Sequence, residues 1–109
     1  MILRIPLLFE GSKHSKNLYA LFDSGATYSC INKDQAKEPE GFISSKSFLK
    51  LHFYKDGVRL GSEFLVMPGL MNEVIIGAGI IKRFNFKFDW VRKEYFIQHK
   101  LPKLIPVNE

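Results

Sequence analysis

Leu18-Tyr19-Ala20-Leu21-Phe22 runs without a break into Asp23-Ser24-Gly25-Ala26. A short apolar run of this length reads as a buried strand. Asp, Ser and Gly are turn formers, so the tetrapeptide taken alone reads as the turn that ends the strand. A second stretch gives it weight. About fifty residues on, Val74-Ile75-Ile76 is again a fully apolar strand, and Gly77 breaks it. Ala78 to Phe84 then fits a short helix, with Ile80, Ile81 and Phe84 as its inward face.

The chain around these two landmarks reads as short strands. Ile2 to Phe9 is a first strand, with Pro6 placing it near an edge or a sheet end. Gly11 to Lys16 is a polar hairpin loop, and Ser29-Cys30-Ile31 resumes extended chain after the Asp23 turn. Asn32 has the position of a helix cap, with Gln35 three residues on, while Pro39 and Gly41 stop any helix soon after. In Phe48 to Tyr54, Leu49, Leu51 and Phe53 share one face and Lys50 and His52 the other. Asp56-Gly57 is a two-residue hairpin turn. Val58 to Met67 returns as a strand that Pro68-Gly69 ends. Phe86, Phe88 and Trp90 alternate with polar residues as a core-facing stripe, and Tyr95 to His99 is a last strand. The tail from Leu101 carries Pro102 and Pro106 and reads as irregular. The sum is an all-β, barrel-like domain.

Composition agrees. The chain has 109 residues, 46% of them apolar, with ten Phe, four Tyr and one Trp. That is one globular domain with a usable core, and its aromatics suit pleated surfaces. The net charge of +5 raises the question of nucleic acid, but Lys and Arg are scattered and read as a solvated basic face. A single cysteine, Cys30, permits no intrachain disulfide and suits a reducing compartment. It reads as a buried thiol. His14, His52 and His99 lack ligand spacing, so no metal and no cofactor is expected. No apolar run reaches membrane-span length, and no signal-type cleavage site follows Met1–Phe9. The expectation is a cytoplasmic protein without a membrane partner.

Leu21-Phe22-Asp23-Ser24-Gly25-Ala26 resembles the active-site motif of aspartic proteases, and Val74-Ile75-Ile76-Gly77 resembles that family's second landmark. Together, in this order within one short chain, they resemble the retropepsin-like (retroviral-type) branch, in the form of a single-domain, prokaryotic-looking member. The resemblance implies a half-size acid-protease fold: a closed barrel with one short helix after Gly77. It also implies an aspartic endopeptidase cleaving extended, largely apolar peptide segments. Such chemistry needs two carboxylates sharing one proton, because adjacent like charges do not ionise together. Only one Asp-Ser-Gly motif is present, so the second carboxylate is expected from a second copy, with Asp23 opposite Asp23.

The same resemblance assigns roles. Asp23 is the catalytic residue. Ser24 bonds across the homodimer, Gly25 lets the backbone pass close to its mate, and Ala26 stands where bulk would press on the substrate. Ile76 and Gly77 pack behind the active-site loop. Two departures stand out. The family commonly carries Asn or Asp two positions after the apolar-apolar-Gly landmark, where this chain has Gly79. The flap, a hairpin that folds over substrate in active members, is confined to Glu40–Ser47, with Phe42, Ser44, Ser45 and Lys46 as its flap residues. Alternative functions are a retropepsin-fold dimerisation or peptide-binding module without turnover, and a basic barrel that binds nucleic acid.

Overall fold

Residues 2–40 and 47–98 are described by a computed structural model. β1 (Ile2–Glu10) and β2 (Ser15–Asp23) form a long antiparallel hairpin in which Leu7 faces Leu18 and Ile2 faces Asp23. β3 (Cys30–Asn32) leads into α1 (Lys33–Glu40). β4 (Phe48–Lys55) and β5 (Val58–Met67) form a second hairpin. Its turn has Asp56 at φ 53° and Gly57 at φ 76°. Left-handed backbone at both central residues matches the right-handed twist of the flanking strands, which is why Asp-Gly serves here.

β6 (Val74–Ile76) runs parallel to β2, with Phe22 beside Ile76, and antiparallel to β3. The strands close into a barrel in the order β1-β2-β6-β3-β5-β4. β4 returns to β1 through Phe9 opposite Phe53 and Glu10 opposite His52. β1 meets β4 only at its far end, so the β4-facing side of Pro6 needs no ladder donor. α2 (Ala78–Arg83) follows β6, and β7 (Phe86–Asp89) and β8 (Glu94–Ile97) make a separate two-stranded sheet.

Strand alternation fills the barrel. Phe9, Phe22, Phe53 and Phe64 are fully buried, each contributing about 1.5–3 kcal/mol of apolar burial. Phe9, Phe53 and Phe64 meet ring to ring, at 5.5 Å for Phe9–Phe53 and 5.9 Å for Phe9–Phe64, beneath the β1–β4 closure. On the outside of that closure the Glu10 carboxylate accepts hydrogen bonds from Arg59 at 2.9 Å and Tyr54 at 3.0 Å.

The all-β expectation holds, with two adjustments. Among the described residues there are two helices rather than one short helix after Gly77, because α1 is a full element. Asn32 Oδ1 accepts from the Asp34 and Gln35 N–H groups at 2.8 and 3.3 Å, capping it, and buried Ala36 anchors it to the barrel. The helix ends one residue after Pro39. The Phe86–Phe88–Trp90 stripe also does not continue as core. Phe86 is buried, but Trp90 is 63% exposed. Asp89 Oδ1 accepts from the Val91 and Arg92 N–H groups at 2.9 and 3.0 Å and turns the chain before Trp90. Among the described residues, no helix is long and apolar enough to cross a membrane. His99 and the tail beyond residue 100 lie outside the described residues.

Candidate active site

Phe22, the penultimate residue of β2, is fully buried, and the last residue of the strand emerges half-buried as Asp23. The strand therefore delivers a carboxylate from the core to the barrel's end. There the chain reverses tightly: the Ala26 N–H donates to the Asp23 carbonyl oxygen at 3.0 Å. The Gly25 N–H donates to Asp23 Oδ1 at 2.9 Å. This second bond ties the carboxylate to its own turn and sets the direction of its free oxygen. A Cβ at position 25 would stand 3.3 Å from that same Oδ1, so the turn accommodates glycine without crowding the carboxylate.

β6 and the start of α2 support the turn from behind. Gly77 follows Ile76, which lies beside Phe22 in the parallel β2–β6 pair. The Ala78 N–H donates to the Ala26 carbonyl at 2.8 Å, and the Gly77 N–H donates to Ser29 Oγ at 2.9 Å. A Cβ on Gly77 would lie 2.7 Å from the Ala26 carbonyl oxygen and 2.9 Å from that of Tyr28. The two sequence landmarks are thus in backbone contact, and glycine is what permits it.

A third element reaches the turn from the far end of the chain. Tyr95 on β8 is 3% exposed. Its ring stacks on Phe22 at 4.9 Å and 21° and packs edge-on against Phe88 at 5.2 Å. Its hydroxyl hydrogen-bonds the Ser24 side chain. Burial pushes the Tyr95 phenol above its ordinary pKa; the Ser24 bond opposes that shift and the nearby Asp23 charge adds to it. Cys30, also buried, has its thiol pushed up by burial alone.

Next to the turn lies an open groove of about 490 Å³, lined by Thr27, Tyr28, Phe48, Lys50, Gly79 and Arg83 among others. Tyr28 and Phe48 expose their rings to it at 61% and 57%. Arg83 donates to the Gly61 carbonyl at 3.0 Å on its rim.

Asp23, Ser24, Gly25, Ala26, Ile76 and Gly77, named from the sequence, are therefore one cluster. The flap residues Phe42, Ser44, Ser45 and Lys46 lie outside the described residues. Ser29 and Tyr95 belong to the cluster and were not singled out. Ser29 follows the motif closely, but its partner lies 48 residues away. Tyr95 read only as the start of a strand, and nothing local shows where its hydroxyl points.

A closed barrel in which one buried strand ends in Asp-Ser-Gly, backed by a second ending in Gly at the foot of a helix, is the retropepsin-like fold. No family model matches the chain, and no curated protein matches it by sequence. Among solved structures it is similar to the crystal structure of the retroviral protease-like domain of Ddi1 from Leishmania major. The TM-score is 0.72 at 22% identity, over 89% of this chain and 86% of that one. At that identity the likeness speaks for the fold.

Proposed function

We propose that the chain is an aspartic endopeptidase that acts as a homodimer, each copy supplying one Asp23 to a shared dyad. The observation that carries the reading is the Asp23 turn. Its carboxylate is held by the Gly25 N–H at 2.9 Å and its backbone is braced by Ala78 at 2.8 Å. The bond within the turn is shared with ordinary surface turns such as that of Asp89; the backbone brace from α2 is what sets this turn apart. A preorganised carboxylate with a neighbour of equal kind is what water activation requires.

In the dimer, one Asp23 is ionised and its mate keeps the shared proton. The ionised carboxylate takes a proton from water as the water oxygen bonds to the scissile carbonyl carbon. The protonated carboxyl gives its proton to the carbonyl oxygen. The tetrahedral diol then collapses: the C–N bond breaks, the nitrogen leaves with the proton of one carboxyl, one diol hydroxyl returns its proton to the other carboxylate, and a carboxylic acid and an amine remain. The dyad ends with one proton, as it began. No metal, nucleic acid or membrane enters this scheme. Substrates are extended, largely apolar peptides, a choice supported by the exposed Tyr28 and Phe48 rings along the neighbouring groove. The lone thiol Cys30 fits a cytoplasmic setting.

One observation favours a second reading, a dimerisation or peptide-binding module without turnover. Gly79 contributes no side chain where the resemblance implies a bracing Asn or Asp, and a Cβ there would meet nothing within 4 Å. Calorimetric titration with a statine-type peptide, which mimics the tetrahedral diol, together with hydrolysis of a peptide library at mildly acidic pH, separates the readings. The protease reading predicts tight statine binding and hydrolysis, both lost in Asp23→Asn. Peptide binding without hydrolysis, unchanged in Asp23→Asn, supports the second reading.

A further inference from the structure

Tyr95 occupies a position whose packing is satisfied by a phenylalanine. Its ring lies between Phe22 and Phe88, at 4.9 and 5.2 Å, opposite Phe88 in the β7–β8 ladder. Phenylalanine would keep those contacts without burying a polar group. The tyrosine adds a hydroxyl that needs a partner once buried, and no buried side-chain nitrogen or oxygen among the described residues lacks one. The partner is the Ser24 side chain. Ser24 itself is exposed, and it directly follows the carboxylate on which the proposed chemistry depends.

We infer that Tyr95 is a positioning residue: its hydroxyl holds the Ser24 side chain in one orientation, and through it fixes the turn that aims Asp23 at its mate. This inference rests on the protease reading for its kinetic consequence, not for the contact itself. A serine hydroxyl has one proton and two acceptor sites. The Ser24 bond lowers the Tyr95 pKa, so Ser24 donates its proton to the Tyr95 oxygen, and Ser24 Oγ keeps acceptor capacity for a second donor, such as one presented across the two-fold axis. A bond from inside the protomer thus orders the hydroxyl oxygen that the dimer uses. It also ties the β7–β8 sheet, which among the described residues shares no strand pairing with the barrel, to the turn at the barrel's end.

The test uses the full chain with Tyr95→Phe, Ser24→Ala and the double variant. Tyr95→Phe keeps the ring, so melting temperature should stay close to wild type and report a retained fold. Its kcat should fall roughly three- to tenfold with KM unchanged, the loss expected from one net hydrogen bond. The double variant should lose no more than Ser24→Ala alone, because the two residues act through one bond. A readout independent of activity comes from NMR of protein labelled at the tyrosine Cζ carbons. The signal that vanishes in Tyr95→Phe should shift in Ser24→Ala at neutral pH, while the other tyrosine signals stay. A Tyr95 signal indifferent to Ser24→Ala overturns the inference, as does a Tyr95→Phe enzyme with wild-type kcat. An inactive wild-type chain instead removes the protease reading, and the NMR comparison then decides the contact by itself.

Discussion

Gly77 and Ala26, from opposite halves of the chain, approach so closely that a methyl group on Gly77 would sit 2.7 Å from the Ala26 carbonyl oxygen. The same carbonyl accepts the Ala78 N–H at 2.8 Å. The contact holds the Asp23 turn against the foot of α2, so the turn's geometry depends on an absent side chain.

Gly77→Ala is therefore expected to be severe. Gly77 has φ −93° and ψ −176°, an extended conformation open to any residue, so the obstacle is space alone. The clashing atoms are backbone and cannot swing aside. Overpacking of this kind costs about 1–3 kcal/mol, and urea denaturation should show a loss in that range or above. Statine binding should weaken further than stability alone explains, because relief of the clash moves the Asp23 turn. A variant as stable as wild type would show that the two segments separate easily.

Gly79→Ala should do the opposite. Gly79 lies inside α2, and a Cβ there meets nothing within 4 Å. Replacing a helical glycine by alanine gains about 0.5–1 kcal/mol, mostly by restricting the unfolded chain. Urea denaturation of the two proteins at one pH checks the sign, and a loss of stability would mean that α2 needs the freedom of glycine.

Stability should also carry an acid limb from Glu10. Its carboxyl pKa is held below the ordinary value, first by the Arg59 hydrogen bond and then by that of Tyr54. A depressed folded pKa means that the unfolded chain takes up a proton first as pH falls. The contribution is fully present above the ordinary glutamate range, near pH 4.5, and is lost as pH drops through the lower folded value. Glu10→Gln should reduce stability at neutral pH and flatten this limb. Glu10 and Arg59 lie at the barrel surface with side chains 29% and 53% exposed, so the effect is small and salt should weaken it. Melting temperatures at pH 3 and pH 7 for both proteins give the comparison.

Much of this site was legible in the sequence because it is built from local signals. An apolar run ending in Asp-Ser-Gly and another ending in Gly each announce a strand and its stop. The buried-strand pattern also fixed the Phe48–Tyr54 and Val58–Met67 hairpin, since Asp56-Gly57 permits one tight turn. What stayed hidden depends on distant partners. The Tyr95 hydroxyl meets Ser24 across most of the chain, and Ser29 meets Gly77 48 residues on. Helix α1 was underrated because Pro39 and Gly41 signal a stop more loudly than Ala36 signals an anchor. Trp90 was misplaced because alternation continues in the letters after Asp89 has already turned the chain. Flap residues Phe42, Ser44, Ser45 and Lys46 lie outside the described residues, so the short flap stands as read from sequence.

The central claim is that one working site needs Asp23 from two chains, and mixing tests it directly. Wild-type and Asp23→Asn chains are combined at constant total concentration, equilibrated, and assayed for peptide hydrolysis at mildly acidic pH. If the two chains pair at random and a mixed pair is inactive, an equal mixture should keep about a quarter of the wild-type rate, because only that share of pairs holds two intact carboxylates. A rate of about a half, simple dilution of an active protomer, would contradict the shared dyad, and so would a wild-type chain that hydrolyses no peptide at all.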